Sequence, residues 1–358
     1  MEFKNLRAAL MAGLLLLSVA GCGSGTGTTP SPETTQTPVE PPLVSGEPEV
    51  ANETEEPQDS HYPVEIVTYN FAGEEVTTVY EKAPERVLAV YQGSIETMIA
   101  LGLEEHVIAS YGLDNEVKEE WADGFSRMNY NDSSFAPDKE SVITMQPDLI
   151  FSWGSLLGEK VLGDVDYWHP NGTNTYINTN TRSGGARLLE HEYADLLNIG
   201  KIFNVEDRAE AIVNQMKADV ETARAAVAQQ DEIPTVAVIR VGESDIRNFG
   251  MELAGDIVSS LGLNVMTSAE RNMGKEDLIA ADPDVIFLEY MPRPGKALEA
   301  YQEEILAAIL DEPAYANMTA VLNGNVHVIM LGDIYAPAVR TGDGIRTIAE
   351  GVFPGIFD

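Results

Sequence analysis

The sequence holds a single cysteine, Cys22, among 358 residues. It therefore cannot form an internal disulfide bond. Basic residues are also scarce, since 22 Lys and Arg stand against 58 Asp and Glu and give a formal net charge of −36. A surface of that sign repels phosphate groups, so we expect no nucleic-acid partner.

Sequence motifs of catalysis and of nucleotide binding are lacking as well. The chain contains no GxSxG and no HExxH, and its glycine-rich GSGTGTTP stretch precedes no helical pattern. We therefore do not expect an enzyme, and we expect no resident cofactor.

Long apolar runs are missing except near the amino terminus, where one extends from Ala8 to Ala20 behind Lys4 and Arg7. That run is too short to span a bilayer and is typical of a secretory signal peptide, predicted over residues 1–21. The following LSVAGC resembles a bacterial lipobox, which implies cleavage before Cys22 and a lipid on its sulfur. A plain secretory signal that ends near a cysteine is the alternative.

Residues 22–61 are rich in Gly, Ser, Thr, Pro and Glu. Such a segment buries too little apolar surface to offset its ordering entropy, so we predict a disordered tether behind the lipidated cysteine. Together these features predict an extracytoplasmic protein that a lipid holds at the cell membrane.

Two stretches of the remaining chain are nearly the same: QPDLIFSWG at 146–154 and DPDVIFLEY at 282–290. The pattern around each stretch predicts, in order, a strand, a helix that ends in LGL, a second helix, the Pro-Asp turn and another strand. About 300 residues exceed what one core usually holds, so two domains are expected. The alternation of strands and helices predicts an α/β fold with mainly parallel sheets.

The stretch between the repeats, 205–230, has no Gly or Pro and carries an apolar stripe at helical spacing. We therefore predict two Rossmann-like lobes joined by one long connecting α-helix. The predicted boundaries are 62–204 for the N-terminal lobe, which opens with a hairpin at 64–81, 205–231 for the helix and 232–358 for the C-terminal lobe.

This organisation resembles the substrate-binding lipoproteins of ABC importers for iron–siderophore, haem and cobalamin. The resemblance covers about residues 84–352 and rests on PERVLAVYQGSIETMIALGL, ITMQPDLIFSWG, LLNIGKIFNVEDRAEAIVNQM and LIAADPDVIFLEY. It implies a protein that binds a small-molecule metal chelate between its lobes and delivers it to an ABC permease. The sequence shows no spanning segment after the signal peptide and no ATP-binding motif, so we expect the permease and ATPase to be separate chains. One acyl anchor and a tether suggest a monomer, and a dimer stays open.

Ligand contacts are expected at the carboxyl ends of the strands, which face the cleft. The predicted ligand-binding residues are Tyr91, Gln92, Trp153, Arg182, Arg240, Tyr290, Tyr335 and Arg340. Ser152, Asn180, Thr181, Glu289 and Asp333 lie at the same strand ends, and the two acids are as well explained as plain surface. Rings and guanidinium groups suit an anionic, aryl-rich ligand, so we predict a ferric–siderophore complex.

Three alternatives for the ligand stay open. Cobalamin or haem could bind by the same mechanism. A bare Zn²⁺ or Mn²⁺ receptor would use histidine and carboxylate ligands, but of the five histidines only His169 lies in a loop that could reach the cleft.

The resemblance also implies one carboxylate on the rim of each lobe for docking to the permease. The matching residues are Glu96 and Asp256. For Glu96, stabilisation of a helix amino terminus is the alternative role. The aromatic and amide-rich segment 166–185, with Trp168 and Tyr176, is predicted to shape the pocket wall, and a structural Ω-loop is the competing interpretation.

Overall fold

The computed structural model describes residues 61–268, 270–293 and 295–358. The predicted signal peptide, Cys22 and residues 22–60 of the predicted tether lie outside the described residues. Among the helices of the described part, none combines the length and apolar character needed to cross a membrane.

The N-terminal lobe contains a hairpin and a parallel sheet. The hairpin pairs β1 (Val64–Tyr69) with β2 (Glu75–Tyr80) in antiparallel register, as the sequence predicts. The four parallel strands run in the order β4-β3-β5-β6. They are β3 (Val87–Val90), β4 (Val107–Tyr111), β5 (Leu149–Ser152) and β6 (Asn174–Ile177). Strands β3 and β5 are buried on both faces, which explains why each is a continuous apolar run.

Helices cover this sheet on both faces. They are α1 (Gln92–Ala100), α2 (Ala122–Phe125), α3 (Lys139–Met145) and α4 (Val165–Trp168). Successive residues of one strand enter different cores: Val87 and Ala89 pack on one face, Leu88 and Val90 on the other. The period of two along the strand therefore divides the lobe into two apolar layers.

The C-terminal lobe is built on a six-stranded sheet. Its order is β10-β8-β7-β11-β12, and β9 pairs with β7 outside this path. The strands are β7 (Thr235–Val241), β8 (Ile246–Asn248), β9 (Asn264–Val265), β10 (Asn272–Met273), β11 (Val285–Tyr290) and β12 (Val326–Met330). Strands β7, β11 and β12 are parallel, whereas β8 is antiparallel to both β7 and β10. The sequence does not predict the short strands β8, β9 and β10.

The helices of this lobe complete the α/β arrangement. They are α7 (Leu253–Ser260), α8 (Lys275–Ala281), α9 (Leu298–Leu310), α10 (Thr319–Leu322) and α11 (Thr341–Val352). The chain thus folds as two α/β lobes with mainly parallel sheets, in agreement with the predicted fold class.

The repeated Pro-Asp turn has the same structural role in both lobes. The Asp148 carboxylate accepts the backbone N–H groups of Glu85 and Arg86, at 2.8 and 2.9 Å, just before β3. The Asp284 carboxylate accepts the N–H of Thr235, the first residue of β7, at 2.7 Å. Each aspartate therefore fixes the start of the neighbouring central strand.

One long helix connects the lobes, as predicted, and a second helix packs beside it. Helix α6 (Glu206–Val227) crosses from lobe to lobe inside the predicted range, and α5 (Leu189–Ile202) packs along it. Leu189 and Tyr193 of α5 belong to the core of the C-terminal lobe, whereas Ile199 and Ile202 of the same helix belong to the N-terminal core. Apolar burial therefore ties both helices to both lobes.

A segment of the C-terminal lobe, 335–341, also packs against α1 and α5 of the other side. A Cβ atom on Gly93 would lie 3.4 Å from the Ala336 carbonyl oxygen, in van der Waals contact, so the two segments pack closely. Ala336 and Ala338 adopt φ values of 53° and 52°, which strain the backbone of a residue with a Cβ atom. The lobe interface evidently holds this segment in place.

Candidate functional site

Three aromatic rings from the two lobes meet at the carboxyl ends of the strands. Tyr91 follows β3, and its ring centre lies 4.4 Å from that of Trp153, which follows β5. The Trp153 ring stacks on Tyr335 of the C-terminal lobe at 5.8 Å with planes 19° apart. All three side chains are half-buried, so each leaves part of its ring open to the cleft. The structure thus brings three of the predicted residues together, and their role in ligand binding stays a prediction.

An arginine cluster borders the rings and was not predicted from the sequence. The Glu252 carboxylate, beside the amino terminus of α7, contacts Arg187 Nη1 at 3.2 Å, Arg247 Nη2 at 2.9 Å and Arg271 Nε at 3.3 Å. Only 3% of the Glu252 side chain is exposed, whereas 64% of the Arg271 side chain is. Three guanidinium groups on one carboxylate leave the cluster with excess positive charge.

The arginine cluster and the rings form one surface. The guanidinium carbon of Arg187 lies 3.9 Å from the centre of the Tyr335 ring, and that of Arg247 lies 5.8 Å away. The buried Arg247 Nε atom has no hydrogen-bond partner among the described residues. Stacked guanidinium groups with free N–H donors suit a ligand that is both flat and anionic.

The other predicted arginines lie elsewhere or are already neutralised. Arg182 stacks on Tyr69 of the hairpin at 4.6 Å. Arg240 binds Glu289 through two N–H groups, and that carboxylate is fully buried. Arg340 is buried and donates to both oxygens of Glu96, at 2.7 and 2.6 Å. These three side chains therefore do not supply the free positive charge that the sequence led us to expect from them.

Gln92 and Tyr290 also differ from the expectation. Gln92 is buried, and its Oε1 accepts the backbone N–H groups of Asp114 and Asn115, both at 3.1 Å. Its role is to shape the loop that follows β4. Tyr290 is buried as well, and its hydroxyl accepts a 2.8 Å hydrogen bond from Gln302, but the residue lines a cavity between the lobes.

The docking role predicted for Glu96 does not fit its position. The residue is fully buried, and Arg340 and Gln92 occupy its oxygens. Such a carboxylate is not available to an arginine of another protein. Asp256 is partly exposed, and one of its oxygens accepts the Leu189 N–H at 2.6 Å, where α5 begins. The docking role of Asp256 stays a prediction.

The segment 166–185 forms scaffold where we expected pocket wall. Trp168 is buried in the N-terminal lobe and donates to the Leu162 carbonyl at 3.1 Å. Tyr176 belongs to β6, is buried, and donates to the Asp195 carboxylate at 2.7 Å. The prediction that these two rings line the ligand pocket is therefore wrong.

Two buried carboxyl groups of α5 hold the loops beside the cleft. Asp195 accepts from Tyr176 and from the Thr179 hydroxyl and N–H, whereas Glu192 accepts from Asn180 and from the N–H of Ala338 at 2.6 Å. Burial raises the pKa of Asp195 to about 6. Burial, with repulsion from Asp195, raises the pKa of Glu192 to about 7.

The described residues do not provide a site for a bare metal ion, because they contain no group of three or more His, Cys, Asp or Glu side chains that could hold one. His169 bonds the Thr175 hydroxyl at 2.8 Å, and burial lowers its pKa. The alternative of a Zn²⁺ or Mn²⁺ receptor therefore lacks a ligand cluster there.

Comparison with known proteins decides the family. A family model described as a periplasmic binding protein matches residues 87–330. The chain belongs to the periplasmic binding protein family. A periplasmic binding protein from Veillonella parvula has a crystal structure that is similar, with 30% identity, a TM-score of 0.76 and coverage of 82% of this chain and 93% of that one.

Two further relatives carry names that mention a ligand. The petrobactin-binding protein YclQ of Bacillus subtilis is 24% identical over 286 residues, which cover 76% of this chain and 82% of YclQ. The crystal structure of an ABC-type Fe³⁺-hydroxamate transport system from Saccharomonospora viridis has 22% identity and a TM-score of 0.60, and covers 82% of this chain and all of that one. At these identities the likeness to the solved structure concerns the fold.

The family of this periplasmic binding protein also indicates its general role. Members work with an ABC permease and ATPase and bind small-molecule chelates in an extracytoplasmic setting. The arginine cluster was not predicted because Arg247 and Arg271 belong to short antiparallel strands or their flanks, whereas the predicted ligand contacts lie at the ends of parallel strands. The sequence gives little sign of the cluster, since Arg247 lies 5 residues from Glu252 but Arg187 lies 65 residues from it.

Proposed function

We propose that the protein captures an anionic ferric–siderophore complex in the cleft between its lobes and presents it to an ABC permease. The observation that carries the proposal is the convergence of Arg187, Arg247 and Arg271 on Glu252 beside the stacked rings of Trp153 and Tyr335. In a chain with a net charge of −36, a cluster with excess positive charge is a local exception. It would attract an anionic chelate that the rest of the surface repels.

The rings and the arginines would have different tasks in binding. Trp153, Tyr91 and Tyr335 would pack against the aryl groups of the chelate, and the guanidinium groups would donate to its metal-bound oxygen atoms. The name of YclQ, a petrobactin-binding protein, supports a siderophore as the ligand class. Haem is a second candidate because it is flat and anionic, and cobalamin fits the arginine cluster less well.

The proposal is tested by titrating the intrinsic tryptophan fluorescence of the protein. Trp168 is in the core and Trp121 packs against core residues, so Trp153 is the tryptophan that a cleft ligand would quench. The panel contains ferric tris-catecholate, ferric hydroxamate and ferric citrate complexes, haem, cobalamin and Zn²⁺. We expect saturable quenching by an anionic ferric complex, and quenching by cobalamin or Zn²⁺ alone would reject the proposal.

Variants of the clustered arginines test whether the ferric complex binds at the arginine cluster. Replacing Arg187 or Arg271 by Gln should weaken binding of the ferric complex about tenfold or more, since each change removes a charge-assisted hydrogen bond. Arg224→Gln is the matched control, because Arg224 is an exposed residue of α6 that pairs with Glu221. Equal affinities for the cluster variants and the control would show that the ligand binds elsewhere.

We further infer which carboxylates would face the permease. The repeat places Lys139-Glu140 in the first turn of α3 and Lys275-Glu276 in the first turn of α8, ahead of the two Pro-Asp turns. Both glutamates are exposed, and within the described residues neither carboxylate has a hydrogen-bond or ion-pair partner. Helices that precede parallel strands begin at the carboxyl edge of the sheet, so both lie at the cleft rim. This pair replaces Glu96 in the docking proposal.

A further inference from the structure

A cavity of about 760 Å³ lies between the lobes, next to the aromatic rings. The loop after β4 supplies one wall, and the ends of β11 and β12 with the start of α9 supply the other. Its apolar walls come from Leu113, Met330 and the rings of Tyr290 and Tyr301. Tyr91 connects it to the rings, because the Tyr91 side chain lies close to Asp114 of the lining while its ring contacts Trp153.

Two buried acceptors in this lining have no donor. Asp333 is 9% exposed, and its carboxylate accepts no hydrogen bond from the described residues. Asn115, from the other lobe, is 8% exposed, and its buried Oδ1 has no partner among the described residues. Because an unpaired buried acceptor costs about 1–3 kcal/mol, two of them on one cavity call for an explanation.

The protein's own cations do not satisfy these acceptors. Arg340 is the nearest, but its Nη1 lies 3.9 Å from Asp333 Oδ1, beyond hydrogen-bond distance. Its guanidinium is held by Glu96 and by the Glu116 carbonyl at 2.8 Å. Lys296, another lining residue, is paired with Glu304.

The charges of the cavity favour a cationic donor. Three carboxyl groups line it, from Asp114, Glu116 and Asp333. Of the three cations that line it, Arg340 and Lys296 are matched by acids, and Arg293 lies exposed over the Tyr301 ring at 4.9 Å. A metal ion is a poor match, since the described residues contain no cluster of three ligating side chains.

We propose that the cavity receives a protonated amine arm of the ligand, with the Asp333 carboxylate and the Asn115 amide oxygen as its acceptors. The inference rests on the proposed function, because it describes a second part of the same chelate. The anionic metal centre lies at the arginine cluster, and the alkylammonium arm enters between Tyr290 and Met330, since Arg293 and Lys296 already lie over the Tyr301 ring at 4.9 and 4.7 Å. Aromatic walls stabilise an alkylammonium group through its methylenes and its charge.

The titration of Asp333 agrees with this assignment. Burial and repulsion from Asp343 raise the pKa of Asp333 to about 7, while Arg340 and Lys118 lower it and Glu96 raises it further. An ammonium group beside the carboxylate lowers that pKa. Ligand binding near pH 7 therefore releases protons, and the affinity for an ammonium-bearing ligand decreases as the pH falls below 7.

The test uses two synthetic ferric tris-catecholate chelates that differ in one arm, which ends in a primary ammonium group or in a hydroxyl group. We expect the wild-type protein to bind the ammonium chelate about tenfold more tightly. Asp333→Asn should remove this preference by weakening the ammonium chelate, with the affinity for the hydroxyl chelate unchanged within about twofold. Asp311→Asn, an exposed site after α9, should leave both affinities unchanged.

The possible outcomes separate the two proposals. If the wild-type protein binds both chelates with the same affinity, the proposed function stands and the amine arm is wrong, whatever the variants do. If Asp333→Asn weakens both chelates equally, the residue has no specific donor in the ligand and the inference also fails. If neither chelate binds but another ferric complex of the fluorescence panel does, the proposed function stands and this inference fails. If no ferric complex binds at all, the proposed function fails, and this inference fails with it.

Discussion

The guanidinium of Arg340 and the carboxylate of Glu96 belong to different lobes and are 244 residues apart in the chain. Only 6% of the Arg340 side chain and none of the Glu96 side chain is exposed. Charges at such depth are tolerated only as a pair, because each one alone would carry its full desolvation cost. The pair therefore fixes the position of one lobe relative to the other, and it does not form part of the protein surface.

This pairing predicts a strong effect of removing one partner. Arg340→Met leaves Glu96 buried without a cation and should lower the free energy of unfolding by about 3–5 kcal/mol. The double variant Glu96→Met/Arg340→Met removes both charges and should recover most of that loss. Urea unfolding of the wild type and the two variants at neutral pH measures the difference.

The control for this prediction is an exposed pair. Lys82 and Glu85 are both about two-thirds exposed, and Lys82→Met should change the unfolding free energy by less than about 1 kcal/mol. A double variant that is no more stable than Arg340→Met would contradict the interpretation of Glu96 as an unpaired buried charge.

Single residues also show what the sequence could and could not predict about the site. Tyr91, Trp153 and Tyr335 were predictable because a strand end has a known position relative to the cleft. Arg187 and Arg271 were not, because they reach the cleft only through their shared contact with Glu252, which depends on the tertiary fold. The pairing of Arg340 was not predictable for the same reason, since its partner Glu96 lies in the other lobe, although Arg340 does line the cavity.

At the scale of elements, α5 combines two tasks. Its apolar residues connect the two cores, and its buried Glu192 accepts hydrogen bonds from Asn180 on one side and Ala338 on the other. Ala336 and Ala338 both have positive φ values, so the hydrogen bond from the Ala338 N–H to Glu192 stabilises a strained segment. The protonation of Glu192 should therefore affect the contact between the lobes.

The raised pKa of Glu192 determines whether the stability of the protein rises or falls with pH. A carboxyl group whose pKa is about 7 in the folded state and about 4.5 when unfolded binds more protons when folded between these two values. Its contribution is therefore most stabilising below about pH 4.5 and is lost as the pH rises to about 7, at about 1.4 kcal/mol per pKa unit at most. We expect the melting temperature to be higher at about pH 5.5 than at about pH 8.

The net negative charge of the protein also grows as the pH rises and changes its stability in the same direction. Variants are therefore needed to isolate the contribution of Glu192. Glu192→Gln carries a permanently neutral group and should show a smaller loss of melting temperature from about pH 5.5 to about pH 8. Glu190→Gln, an exposed position of the same helix, should keep the wild-type slope. Identical slopes in all three proteins would show that Glu192 does not titrate in this range.

The secondary structure was predictable where side-chain patterns repeat. The two Pro-Asp turns marked β5 and β11, one long strand in each lobe, because Asp148 and Asp284 make equivalent contacts to the backbone. The segment around Trp168 was misread because its aromatic and amide groups suggest a binding loop. Nothing local shows that Trp168 bonds the Leu162 carbonyl inside the core.

At the scale of the whole molecule, the contact between the lobes is extensive. Helices α5 and α6 belong to both cores, and the segment 335–341 inserts between α1 and α5. Such an interface resists large opening of the cleft, so ligand capture should involve small adjustments of the lobes. A permease would then recognise the relative positions of the two rims, which argues for one contact on each lobe.

The exposed glutamates of the repeat provide such contacts and lead to a prediction about transport. Glu140→Gln and Glu276→Gln keep the size of each side chain and remove its charge. Each single variant should lower uptake of the iron chelate several-fold, and the double variant should lower it about tenfold or more, since a charge pair at an interface is lost on each lobe. The measurement is uptake of radiolabelled iron chelate by cells that depend on this protein.

Ligand binding separates docking from capture in this experiment. Neither glutamate contacts the arginine cluster or lines the cavity, so the double variant should bind the chelate with wild-type affinity. Glu221→Gln, at an exposed position of α6, is the control and should leave both binding and uptake unchanged. Normal uptake by the double variant would show that the permease reads other residues, and Asp256 would then be the next position to change, because it is partly exposed on the C-terminal lobe.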